Sequence, residues 1–127
     1  MQYGYSKKVS LPFAEAVKVV KETLTKEGFG VLTEIDVKAT MKKKLDVDYD
    51  NYIILGACNP QFAHKALQVE KEIGLLLPCN VIVYEDSGEV YVSAIVPSVA
   101  MNMVENEDLA SIASEVEKKL VSVISAV

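Results

Sequence analysis

The chain has 127 residues, of which 50% are hydrophobic and 24% charged, with a net charge of -5. This length suits one domain, 1–127, with a buried core, and the composition excludes a disordered chain. All thirteen cations are lysine; an acidic chain without arginine lacks the usual tool for gripping phosphate or guanine edges, which excludes nucleic acid as the expected partner.

Residues 2–9 alternate weakly and carry strand-favouring tyrosines, so they read as a first strand. Ser10-Leu11-Pro12 opens a helix, with serine as cap and proline in the first turn. Phe13, Ala16, Val17, Val20 and Leu24 follow at helical spacing, and Gly28 supplies the left-handed residue that ends the helix. A second strand spans 29–35. Asp36 caps a short helix with Val37, Met41 and Leu45 on one side and Lys38, Lys42, Lys43 and Lys44 on the solvated remainder. The third strand, 50–58, carries Ile53-Ile54-Leu55 consecutively, which predicts burial of both faces. Asn59 and Pro60 start a helix running to about Ile73, with Ala63, Ala66, Leu67 and Ile73 inward, and Gly74 closes it. Strands over 79–85 and 89–96 are joined through Asp86-Ser87-Gly88, read as a three-residue hairpin loop. Pro97 ends the fifth strand, and the stretch 98–107, with Met101 and Met103, reads as a lid or a packed connector. A final helix starts near Asn106 or Asp108 with a continuous apolar stripe, Leu109 to Val127.

The resulting order is β-α-β-(short α)-β-α-β-β-α. It predicts an α+β fold, an antiparallel sheet of about five strands with helices mainly on one face, built on a split β-α-β arrangement. In that arrangement the third and fourth strands run the same way. Cys58 would then end one strand and Cys79 begin the other at opposite edges of the sheet, separated by a helix ~20 Å long. The expectation is therefore two free thiols that share neither a disulfide nor a metal.

Cys58 lies beside a helix N-terminus, where free amides lower a thiol pKa, although a buried cysteine acting as a small hydrophobe explains it more simply. Asn59 is sufficiently explained as a cap, and Pro60 as the first helical residue. His64, the only histidine, shares a face with Gln68 and Lys71 and reads as solvent-facing; no second ligand at suitable spacing makes it a metal site. Glu34 and Asp36 point to the same side of the second strand as a possible carboxylate pair. Two edges thus compete as a site: Cys58, Asn59, Pro60 and His64 on one, and Glu34, Asp36, Cys79 and Asn80 on the other. No catalytic set and no metal centre is assigned, and no cofactor is named. The opening residues lack a signal-peptide pattern, and the apolar runs 52–58 and 73–79 are too short to span a bilayer, which predicts no membrane partner. Two unpaired cysteines predict a reducing, cytoplasmic setting.

The chain resembles domain-of-unknown-function family three-hundred-and-two. The resemblance is carried by Leu55-Gly56-Ala57-Cys58-Asn59-Pro60 and by Leu76-Leu77-Pro78-Cys79 leading into Val81-Ile82-Val83-Tyr84-Glu85. The Asp86-Ser87-Gly88-Glu89-Val90 hairpin and the stretch from Gly28 to Asp36 match as well, so nearly the whole chain is covered. The resemblance implies an α+β fold, commonly a homodimer, with no established activity. It also implies that related members keep the Asn-Pro and Leu-Pro pairs while replacing both cysteines, and carry a histidine where this chain has Val37. A Cys58 mechanism would therefore not be general to the group.

Three functions follow as expectations. The first is a module binding a small molecule or anion at one sheet edge. The second is a thiol-dependent enzyme or redox sensor using Cys58. The third is a protein-interaction homodimer in which the C-terminal helix or the fifth strand forms the interface.

Overall fold

In the computed structural model, which describes residues 2–127, five strands form one sheet in the order β1-β5-β4-β3-β2. They are β1 (Gly4–Val9), β2 (Gly30–Asp36), β3 (Tyr52–Cys58), β4 (Cys79–Asp86) and β5 (Glu89–Ile95). Every neighbouring pair is antiparallel. The helices are α1 (Phe13–Lys26), α2 (Val37–Leu45), α3 (Pro60–Val69), α4 (Pro97–Ala100) and α5 (Glu107–Ala126), with a 3-10 segment over Lys71–Leu76. The α+β class and the element order agree with the sequence. No helix among the described residues is long and apolar enough to cross a membrane.

Contrary to expectation, β3 and β4 do not run the same way at opposite edges but are antiparallel neighbours. A single helix from 60 to 73 would carry the chain the length of the sheet, but α3 stops at Val69 and Glu70 takes an extended conformation (φ -151°, ψ 98°). The 3-10 segment then folds back on α3, and β4 starts at the same end of the sheet where β3 finished. Ala57 consequently pairs with Cys79, and the two cysteines lie on adjacent strands rather than at opposite edges.

Local stop and start signals act largely as read. The Ala39 N–H donates to Asp36 Oδ1 at 2.9 Å, and the Asp108 and Leu109 N–H groups donate to Asn106 Oδ1 at 3.1 and 3.2 Å. Gly28 takes φ +84° behind α1. Ser10 caps nothing: Pro12 occupies the cap position and no side chain bonds there. Asp86 pairs with Glu89, so the hairpin loop is the two residues Ser87 and Gly88, both at positive φ as a tightly twisted hairpin turn needs. Lys7 on β1 reaches across to α5 and donates its ammonium to the carbonyls of Ser125 at 3.0 Å and Val127 at 2.6 Å.

The sheet has two unlike faces. Ile53, Leu55, Ala57, Val81, Val83, Val92 and Ala94 point into a core completed by Ala16, Val20 and Leu24 of α1 and Leu120, Val123 and Ile124 of α5. The opposite face is open, which corrects the reading of β3 as buried on both sides: Tyr52 and Ile54 are only half-buried. A β-bulge at Leu32 shifts the β2 register and turns Thr33 and Ile35 to this open face. Leu67, expected inward, is exposed. Val123 is fully buried, so this part of the α5 stripe is spent on the core, and β5 is flanked by β1 and β4, so it offers no free edge for strand pairing between subunits.

At Gly56 of β3, side chains of β2 and of the Leu77-Pro78 turn come close to the backbone. A Cβ there would collide with Thr33 Oγ1 and come 2.9 Å from Pro78 Cγ. Gly56→Ala should destabilise the protein by about 1–3 kcal/mol, read as a lowered urea midpoint; an unchanged midpoint would show that the turn yields freely.

Candidate functional site

The antiparallel pairing of β3 and β4 brings the two cysteine-bearing sequences to one corner, where β3 ends, α3 begins and β4 starts. Between the sheet and the helices there lies a cavity of about 30 Å³, room for roughly one water. Phe29, Phe62, Ala66, Met101, Leu109 and Ile112 form much of its wall, with Cys58, Asn59 and Cys79 among its few polar contributors. Cys79 is buried at 8% exposure. Desolvation, with a smaller contribution from Cys58, pushes its thiol up from 9.0 to about 11, so its sulfur stays protonated and behaves as a small apolar group.

Cys58 is half-buried at the rim of this cavity. Neither a histidine nor a carboxylate lines the cavity beside it. Asn59 does not cap α3, contrary to the sequence reading. Its side-chain amide instead donates to the Glu27 carbonyl at 3.5 Å, tying the β3–α3 corner to the end of α1. The N–H groups of Gln61 and Phe62 are left without a side-chain acceptor at the start of α3. Pro60 opens α3 as expected, but it is exposed and lines an outer depression with Glu27, Gln61 and Lys119. His64 is exposed and is not part of the cavity lining.

The second proposed edge is assembled only in part: Cys79 and Asn80 line one groove with Pro97, without the two carboxylates. Glu34 forms an ion pair with Lys21 of α1, and Asp36 caps α2. Asp36 is level with Ile53 while Cys79 is level with Ala57, a separation of ~13 Å along the strands alone. Asn80 is exposed on the open face, in the row of Gly56 and Thr33. Cys79 therefore belongs with Cys58, and the two carboxylates belong to separate structural contacts. Phe29 and Phe62 were not singled out from the sequence, because aromatic residues beside a glycine and inside a helix read as ordinary core. Met101 was noted, and it is half-buried in the cavity wall, whereas Met103 is 75% exposed.

The family described as domain of unknown function DUF302 matches residues 5–127. The chain belongs to the DUF302 family. A crystal structure of an uncharacterized conserved DUF302 protein from Bacillus stearothermophilus is similar to it at 30% sequence identity and a TM-score of 0.93, covering 98% of each chain. No curated protein matches. Among the described residues of this DUF302 chain, no group of three or more His, Cys, Asp or Glu is placed to hold a metal ion. Its chemistry at the corner is that of an apolar chamber with two thiols and uncapped amides near its rim.

The raised pKa of Cys79 makes stability pH-dependent with a definite sign. The thiol ionises more readily in the unfolded chain, so its contribution is complete below pH 9.0 and is lost as pH rises toward about 11. The loss should be roughly 2–3 kcal/mol in urea denaturation. Cys79→Ala should show a flatter dependence over the same range; an equal fall in both proteins would assign the effect to other groups.

Proposed function

We propose that this DUF302 chain binds a small, largely apolar molecule at the β3–α3 corner. The observation that carries this reading is the apolar cavity between the sheet and the helices, with its polar groups confined to a few positions, the arrangement small-molecule sites favour. The anion half of the expectation has only the uncapped amides of Gln61 and Phe62 behind it, and the reading rests on the cavity instead. At about 30 Å³ the chamber accommodates a ligand only by displacing a side chain that now fills it. Both cysteines are free, which supports a reducing, cytoplasmic setting. Thermal denaturation with benzene, indole, 1-hexanol and hexanoate tests the reading. At a hundredfold excess over Kd a bound probe stabilises by about 2.7 kcal/mol, a rise of several degrees in Tm. Ala63→Leu, which fills the chamber from α3, should abolish the rise; no rise with any of the probes would remove the reading.

A second reading has its own support, the open sheet face. Ile35, Ile54 and Ile82 form one cross-strand row and belong to neither core cluster. Beside them Tyr52, Tyr84 and Tyr91 stack with ring centroids 5.5 and 5.2 Å apart, so both faces of the Tyr84 ring are covered within the ladder. Five strands at ~4.8 Å spacing present a face on the order of 500 Å². Two copies meeting face to face would bury about 1,000 Å² in total, the lower bound for a specific interface. We infer that a second copy of the chain packs there, across a two-fold axis. Sedimentation should give a dimer for the wild type and a folded monomer for Ile82→Lys; a monomeric wild type at high concentration would dismiss the homodimer.

A further inference from the structure

Met101 alone among the described residues lines three separate spaces: the inner chamber of about 30 Å³, an outer groove of about 270 Å³ and a side pocket of about 80 Å³. We propose that Met101 is a removable plug between the groove and the chamber, and that the ligand is an uncharged, unbranched apolar chain that replaces it. This rests on the apolar-ligand reading of the same corner and adds the shape of the ligand and the residue that selects it.

The remaining boundary between groove and chamber is stiff. Leu77, Pro78, Cys79 and Pro97 line both spaces; two are prolines, and Cys79 is fixed in the β3–β4 ladder. Met101 completes the boundary from the residue after α4, one turn on from Pro97. Its side chain is unbranched, with three rotatable bonds and a polarizable thioether, and its cross-section is that of an alkyl chain. Rotation about its own bonds is the movement by which it vacates the passage in this proposal. The segment that carries it is lightly held. Its backbone bonds are local turns, such as Met101 N–H to the Pro97 carbonyl at 2.9 Å and Val104 N–H to the Met101 carbonyl at 3.0 Å. The outside ties are at its ends: Ser98 N–H to Glu117 Oε1 at 3.0 Å, and the Asn106 side-chain amide to the Val69 carbonyl at 2.9 Å. Between these ties, side-chain packing is what keeps Met101 in place.

The lining also defines the charge of the occupant. No lysine, histidine or carboxylate lines the chamber, the groove or the side pocket, and Cys79 at the passage keeps its proton. A charged molecule would lose its hydration there with no partner in return. Asn80 at the outer groove offers one amide, suited to a terminal hydroxyl or carbonyl left at the mouth. A chain threaded inward with its polar end at Asn80 fits; a ring or a branched chain is too wide for a passage opened by one thioether.

Wild-type protein carrying methyl-labelled methionine, titrated with 1-octanol and with cyclooctanol, tests the proposal, with Met41 on α2 and Met103 as internal references. 1-Octanol should shift the Met101 methyl resonance, leave Met41 unmoved and bind about ten-fold more tightly than cyclooctanol, the discrimination a shaped apolar passage can supply. Met101→Leu, branched and of similar volume, should weaken 1-octanol while preserving the fold by circular dichroism, and Met101→Ala should admit both alcohols with similar affinity. Equal binding of the two alcohols by the wild type, or 1-octanol binding that leaves Met101 unmoved, overturns the plug and leaves the apolar-ligand reading standing. No stabilisation by either alcohol or by indole overturns both.

Discussion

The pairing of Ala57 with Cys79 is the constraint on which the rest of this molecule depends. It exists because the chain breaks at Glu70 and doubles back, returning to the end of the sheet it had just left. Had α3 continued, β4 would have begun at the far end, and the second apolar cluster of Ala66, Ile73 and Leu109 would have no counterpart. As built, α3, the 3-10 segment and the start of α5 close over one corner, and the turn holding Leu77 and Pro78 becomes part of its wall. Each large side chain fully buried in such a layer contributes about 1.5–3 kcal/mol. The register is held by many such contacts rather than by any single bond.

The sheet divides labour between its faces. The α1–α5 face holds the fully buried side chains Leu55, Val81, Val83 and Val92, which pack at the density of a protein interior and tolerate little change. The open face bears a tyrosine ladder and a row of isoleucines that contribute to neither core. An antiparallel sheet permits this asymmetry because neighbouring residues alternate sides. The cavity occurs where the packed layer meets α4 and the residues that follow it, between a wall of strands and prolines and a wall of side chains from α3, α5 and Met101.

What the sequence disclosed follows the range of the forces involved. The cap at Asp36, a helix start near Asn106 and the left-handed Gly28 were legible because each is settled within a few residues. The run Ile53-Ile54-Leu55 was misread because an apolar residue on a strand looks the same whether or not a helix covers it. The break at Glu70 was invisible: Gln68-Val69-Glu70-Lys71 contains neither glycine nor proline, and its helical pattern continues into Ile73. That one unseen turn reversed a strand. It moved Cys79 from the company of Glu34 and Asp36 to that of Cys58, so the composition of the site was the part least readable from local signals. The family resemblance supplied fold and no chemistry, since it transfers the frame of the corner alone.

The position of β1 has a consequence for how the chain comes together. It is the first strand in sequence, yet its partner is the last, with Gly4 opposite Ile95 and Val9 opposite Val90. Joining them closes a loop of roughly eighty residues, against roughly twenty for β3 with β4. Because closure entropy grows only with the logarithm of loop length, the longer loop costs about 1.2 kcal/mol more. That difference is small beside the core it completes. It falls more heavily on rate than on stability, since distant partners must find each other before their contacts reward them. The edge farthest from the cavity corner in strand order is thus also the one whose docking requires the longest search.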